Sequence, residues 1–123
     1  MALPELAPLT RRYICVHMTD LSTASSAFVA APFRGRIVKL WSSIYAATTT
    51  ANATVTVEIN GTAVTGMTLT VTQSGSAAGD VDSTTPTGKS TTYFNEGDTL
   101  EIITNGSSDT TCAVTFVLVL EPE

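Results

Sequence analysis

Apolar and polar residues alternate along most of this chain. In the stretch TVTVEINGTAVTGMTLTVT, residues 54–72, Val55, Val57 and Ile59 alternate with Thr54, Thr56 and Glu58, the period of a strand with one buried face. Asn60-Gly61 follows, the pair best able to hold positive φ at both centres of a type I′ turn, so the chain is expected to reverse there. Pairing across that turn sets Ile59 opposite Thr62 and Val57 opposite Val64. Met67, Leu69 and Val71 are out of phase with Val64, and a bulge or second turn at Thr65-Gly66 has to absorb the slip.

The same period predicts a strand over residues 10–19, with Ile14, Val16 and Met18 on one face and Tyr13, Cys15 and His17 on the other. A polar loop (20–27), a short strand (28–31) stopped by Pro32, and a corner at Phe33-Arg34-Gly35 come next. The strand over 36–45 is expected to bury Val38, Leu40 and Ile44. Its opposite face carries Ile37, Lys39, Trp41 and Tyr45, unusually aromatic for a wet surface. Residues 73–92 hold almost no large apolar side chain and read as a long loop, functional or disordered. Tyr93 and Phe94 re-enter the core, Asn95-Glu96-Gly97-Asp98 turns, and residues 99–104 form a strand with Leu100 and Ile102 inward. After Asn105-Gly106, the last strand (110–120) is apolar on both faces: Val114, Phe116, Leu118 and Leu120 on one, Val117 and Val119 on the other. It is therefore central or part of a subunit interface. About eight short strands with no convincing helix predict an all-β fold, an antiparallel β-sandwich of jelly-roll type, over residues 10–123. Residues 1–9 carry Pro4 and Pro8 and are expected to be an extended arm; nine residues reach roughly 30 Å, enough to lay Leu3, Leu6 and Leu9 on a neighbouring subunit.

Composition fits one domain: 123 residues, 43% hydrophobic and 14% charged. The net charge of −5 argues against nucleic acid as a partner. Its distribution is uneven. Arg11, Arg12, Arg34, Arg36 and Lys39 against Glu5 and Asp20 make residues 1–39 net +3, whereas Lys89 against nine carboxylates makes the remainder −8. A basic patch of this kind suits an acidic partner surface. No apolar run approaches the roughly 18 residues needed to span a bilayer, and the N-terminus lacks the features of a signal peptide. Cys15 and Cys112, the two thiols, are expected to stay reduced.

Candidate chemistry is sparse. Gly88-Lys89-Ser90 imitates the end of a phosphate loop, but Ser83 stands where the motif needs glycine and no helix can follow. His17 is the lone histidine and no metal-ligand spacing accompanies it. Asp80 and Asp82, with Asp98 and Asp109 elsewhere, could meet around a calcium ion, but calcium needs six or more oxygens and a lone Asp-Val-Asp is weak evidence for it. Asn52, Asn60 and Asn105 each head a glycosylation sequon, two of them already assigned to turns. No catalytic set, cofactor site or metal site is expected, and the chain is read as a non-enzyme. The expected oligomer contacts are Trp41, Tyr45, Val117 and Val119, on faces that a lone sandwich would leave wet.

Three runs carry a family resemblance: APFRGRIVKLWS (31–42), ATVTVEINGTAVTGMTLTVTQSGSAAGDVDSTTPTG (53–88) and NEGDTLEIITNGSSDTTCAVTFVLVLE (95–121). Together they resemble the small head decoration, or cement, proteins of tailed bacteriophages, over roughly residues 28–121. The resemblance implies an all-β, often trimeric virion protein without enzymatic activity or cofactor. Such a protein is made in the host cytoplasm and sits on the outer capsid surface. The implied partners are the shell of the major capsid protein and other copies of itself, with neither nucleic acid nor membrane. On that reading Leu3, Leu6, Leu9, Arg11, Arg12, Arg34 and Arg36 face the capsid, binding across junctions between shell subunits. A receptor- or glycan-binding jelly roll at a phage fibre tip resembles the same sequences and is the alternative.

Overall fold

The computed structural model describes residues 11–106 and 111–123, and every regular element among them is a β-strand. In chain order these are β1 (Arg12–Met18), β2 (Ser25–Ala30), β3 (Gly35–Ile44), β4 (Ala53–Ile59), β5 (Thr62–Val71), β6 (Val81–Thr84), β7 (Tyr93–Phe94), β8 (Thr99–Thr104) and β9 (Val114–Pro122). One sheet has the order β1-β9-β3-β6, with β7 also paired to β3; the other has the order β2-β8-β4-β5. All pairs are antiparallel. Two such sheets face to face, with the chain passing repeatedly from one to the other, make a jelly-roll sandwich. The expected arm, residues 1–9, lies outside the described residues.

The hairpin that dominates the sequence forms as its pattern requires. Asn60 and Gly61 have φ of 51° and 83°, and Ile59 pairs with Thr62. Register then shifts between Glu58↔Ala63 and Thr56↔Thr68, so residues 64–67 of β5 oppose Val57 alone. Gly66, at φ 74°, lies in this bulge, which keeps Val64, Met67, Leu69 and Val71 all buried.

Three expectations are corrected. In β3 a bulge between Ile37 and Lys39 reverses the expected facing: Ile37 is fully buried and Val38 only half-buried, while Leu40 and Ile44 remain core. Residues 73–92 are not all loop. Val81–Thr84 pairs with β3 as an edge strand, because backbone pairing needs no apolar side chain. Of the pair expected to re-enter the core, Phe94 does so and Tyr93 does not; period two sends neighbouring side chains to opposite faces. β9 is central, between β1 and β3, and its Val114, Phe116, Leu118 and Leu120 are fully buried. Each such side chain contributes roughly 1.5–3 kcal/mol.

The three sequon asparagines act as stitches between strand ends. Asn60 Oδ1 accepts the Thr99 N–H (2.9 Å), Asn105 Oδ1 the Thr54 N–H (2.9 Å), and Asn52 Oδ1 the Gln73 N–H (2.7 Å). Two ends of the sandwich result. At one, here the corner end, Arg12, the β2–β3 corner, the Asn60-Gly61 turn, the β7–β8 turn and Glu121–Glu123 come together, tied by Ala31 N–H to Asp98 O (2.8 Å) and Glu123 N–H to Arg34 O (3.0 Å). At the other, the loop after β1 meets the loop before β9, with Leu21 N–H donating to Cys112 O (2.7 Å).

Candidate interaction surface

The strand registers place the side chains of the β1-β9-β3-β6 outer face in rows. One row is Tyr13, Val119 and Lys39; the next is Cys15, Val117, Trp41 and Ser83; the third is His17, Thr115, Ser43 and Val81. Tyr45 follows at the loop end of β3, and Tyr93 stands beside Arg36 at the corner end. Of the exposed large hydrophobic residues Tyr13, Phe28, Trp41, Tyr45, Val81 and Tyr93, all but Phe28 lie on this one face. The opposite sheet presents instead Thr54 and Thr56 across from Thr70 and Thr68, a wet threonine surface.

The aromatic face is held in place by its own contacts. Lys39 Nζ sits 4.0 Å from the Trp41 ring centroid, a cation–π contact. The Tyr45 hydroxyl is 2.8 Å from Thr115 Oγ1, and His17 Nδ1 is 3.4 Å from the same oxygen. The imidazole meets the Tyr45 ring edge-on at 5.5 Å. His17 is thus a surface strand residue in an aromatic cluster. Trp41 and Tyr45 are exposed and share this face with half-buried Val117. Val119 departs from the expectation of a wet face. It is 4% exposed, covered by the chain's own side chains between Tyr13 and Lys39.

The basic residues divide. Arg36 is half-buried and pairs with Glu121 (3.1 Å) and Glu123 (3.6 Å); Arg11 pairs with Glu121 (3.8 Å). Arg12 donates to the Arg11 carbonyl (3.0 Å). Two of the expected contact arginines therefore spend their charge on C-terminal carboxylates within the chain. Arg34 does not. It is exposed and lines a shallow pocket of about 160 Å³ with Gly35, Tyr93, Phe94, Asn95 and Glu123. Leu3, Leu6 and Leu9 lie outside the described residues.

The remaining chemistry-bearing residues serve the fold. Asp20 Oδ1 accepts from the Ser22 hydroxyl (2.5 Å), the Ser22 N–H (2.9 Å) and the Cys112 N–H (3.3 Å), and Oδ2 from the Thr23 hydroxyl (2.8 Å). These donors, the Ser22 hydroxyl first, pull its pKa down to about 2. Asp98 is lowered by the Asn95 N–H and then by Asn60. Asp80 Oδ2 closes a turn by accepting the Ala77 N–H (2.9 Å). Among the described residues no group of three or more His, Cys, Asp or Glu side chains could hold a metal ion. Cys15 is free and exposed on the aromatic face. Cys112 is free and buried, its Sγ 3.3 Å from the Ala46 carbonyl.

Fold and surface together define a jelly-roll sandwich with one apolar, aromatic sheet face. The chain belongs to the endospore-appendage family (Enas), which matches residues 29–122, from β2 to the end of β9. The matched residues nearly coincide with the stretch, 28–121, on which the expected resemblance rested. No curated protein sequence matches the chain. Solved structures share its fold. A chain of the cyanophage Pam1 capsid asymmetric unit is 16% identical at TM-score 0.51, over 92% of this chain and 84% of that one. The Clostridium stercorarium module CsCBM6-3, solved in complex with cellobiose, is 11% identical at TM-score 0.50, over 93% and 83%. A Bacillus subtilis family 43 arabinoxylan arabinofuranohydrolase is 17% identical at TM-score 0.55, over 87% of this chain but 21% of the enzyme. At these identities the likeness is one of fold.

Proposed function

We propose that this chain is a non-enzymatic structural subunit that works in many copies on the outside of a spore or virus particle, burying the aromatic face of the β1-β9-β3-β6 sheet against a neighbouring copy. The observation that carries the proposal is the concentration of Tyr13, Trp41, Tyr45 and Val81 on one sheet face of a chain from the endospore-appendage family, with Tyr93 at the corner end outside the buried contact. Water contact with such a patch is unfavourable, and covering it is the usual source of association energy. Each contact can be modest, about 800 Å² per partner or less, because repeated contacts in one assembly multiply the effective affinity. Residues 1–9, with Leu3, Leu6 and Leu9, precede Arg11 and β1 in the sequence, and a fully extended chain of that length would reach roughly 30 Å, enough to cross a subunit boundary.

A second reading is capsid decoration by a homotrimer that cements shell subunits, with the arm and Arg11, Arg12, Arg34 and Arg36 toward the major capsid protein. The near end-to-end fold match to the Pam1 capsid chain favours it. The intramolecular pairing of Arg11 and Arg36 weakens the basic patch on which it relies.

Sedimentation velocity and negative-stain microscopy of the full chain separate the two. Open-ended assemblies that Trp41→Glu disperses, with melting of the domain unchanged, support the first reading. Discrete trimers that coat expanded shells, and lose them on deletion of residues 2–9, support the second. A monomer at every accessible concentration, binding no shell, overturns both.

A further inference from the structure

We propose that the pocket at the corner end is a binding site for a single acidic sugar residue, a hexuronate at the end of a glycan chain. The site is lined by Arg34, Tyr93, Asn95 and Glu123 over a floor of Gly35 and Phe94. Its volume of about 160 Å³ accommodates one six-membered ring. Drug-sized ligands and longer chains occupy pockets from roughly 300 Å³ upward.

The walls have the chemistry of a sugar site. Tyr93 is half exposed and offers a ring against which the C–H face of a pyranose can lie. Around it stand three planar polar groups: a guanidinium with five donors, a carboxamide that both donates and accepts, and a carboxylate that only accepts. Vicinal hydroxyls, each donor and acceptor, match that mixture; an apolar ligand would leave the groups unpaired on closing the pocket. Among the described residues the Arg34 guanidinium, the Asn95 carboxamide and the Tyr93 hydroxyl make no hydrogen bond or ion pair within the chain. All three are available to a ligand.

The charge argues for an acidic sugar. Arg11, Arg12, Arg34 and Arg36 stand with Glu96, Asp98, Glu121 and Glu123 at this end of the sandwich, so it is the local pairing and not an excess of charge that singles out Arg34. Glu121 and Glu123 are already paired to Arg36 and Arg11, and among the described residues Arg34 has no ion-pair partner. One ligand carboxylate balances it, and a guanidinium can take that group bidentately.

The pocket is also preorganised. The Arg34 carbonyl accepts the Glu123 N–H at 3.0 Å, and Gly35 pairs with both Phe94 and Pro122. A side chain at Gly35 would approach the Glu121 carbonyl oxygen to 2.3 Å, so the backbones that carry the walls are in close contact there. Phe94 is buried against Phe33 at 6.0 Å between ring centroids, which fixes the floor. The backbone and floor need little ordering on binding; the Arg34 and Asn95 side chains are ordered by the ligand.

Titration calorimetry and saturation-transfer NMR on the full chain test this; the second reads the sugar and tolerates assemblies of any size. Methyl glucuronide is expected to bind saturably in about the millimolar range. Methyl glucoside, lacking the charge, and acetate, lacking the ring, should each bind about tenfold more weakly or worse. Arg34→Gln and Asn95→Ala should each weaken glucuronide about tenfold without moving the melting temperature. Tyr93→Ala should do the same, and the other two variants carry the test if loss of β7 pairing unfolds it. Absence of saturable binding overturns the proposal. So does acetate binding as well as the glucuronide, which would make this a simple anion site. Glucoside binding equally well removes the role of charge. Wild-type affinity in both Arg34→Gln and Asn95→Ala would place the sugar elsewhere.

Discussion

Gly66→Ala isolates the device that closes one flank of the sandwich. Gly66 lies in the β5 bulge at φ 74°, and a Cβ there would stand 1.9 Å from Thr87 Oγ1, 2.6 Å from Thr87 Cβ and 3.0 Å from Thr87 N. A rotamer change moves Oγ1 away but not Cβ or N, so the backbone at Thr87 has to retreat. That retreat breaks the Thr87 N–H to Thr65 O bond (2.9 Å), which together with Thr65 N–H to Thr91 Oγ1 (2.8 Å) ties the edge of β5 to the segment before β7. Positive φ costs an alanine about 1–2 kcal/mol. The lost backbone bond adds about 1 kcal/mol, and the displaced packing brings the total to about 2–4 kcal/mol. Gly61→Ala is the internal control: its φ is 83°, yet nothing lies within 4 Å of the new Cβ, so only the backbone component applies. Urea denaturation followed by circular dichroism should rank wild type above Gly61→Ala above Gly66→Ala. Against a Thr87→Gly background, Gly66→Ala should recover about 1–2 kcal/mol of its cost as coupling. Equal destabilisation by the two alanines, or strict additivity with Thr87→Gly, would refute the close-approach argument.

Ser42 Oγ is buried with no hydrogen-bond partner among the described residues, so Ser42→Ala should be neutral or stabilise by up to about 1 kcal/mol in the same assay. Asp20, with its pKa pulled from 3.8 to about 2 in the folded chain, makes the native state bind fewer protons than the unfolded state. Its stabilisation is therefore present above pH 3.8 and is lost as pH falls toward 2, and Asp20→Asn should flatten the stability–pH curve over that window, read by urea midpoints at stepped pH. Asp98 acts in the same direction and should leave a residual slope. Thiol labelling of the chain dispersed by Trp41→Glu should modify exposed Cys15 promptly and buried Cys112 only on unfolding; a Cys15–Cys112 bridge in mass spectra of the unreduced protein would contradict this.

Local rules determined the strands and the central hairpin. Period-two alternation marked β1, β4, β8 and β9, and Asn60-Gly61 marked the turn, because side-chain facing and positive φ are properties of one or two residues. The phase slip even placed the bulge at Gly66. The candidate surface was legible in part: Trp41, Tyr45 and Val117 were visible as apolar residues out of phase with the core. Val81 and Tyr93 were not, since Val81 stands in a polar run and Tyr93 beside a core phenylalanine. The one signal that could have found Val81 is that it is the lone large aliphatic residue of the stretch 73–92.

Tertiary structure decided the rest. A one-residue bulge in β3 buries Ile37 and turns Val38 away from the core, and no pattern within the strand marks it because it answers to register with β9. The uneven charge along the sequence suggested a basic patch, yet folding brings Glu121 and Glu123 onto Arg36 and Arg11, while among the described residues Arg34 makes no ion pair. β6 forms because β3 offers an open edge, not because residues 81–84 read as a strand. In each case the deciding contact joins residues far apart in sequence. Alternation constrains a residue's neighbours along the chain, and only closure of the sheets determines what stands across from it.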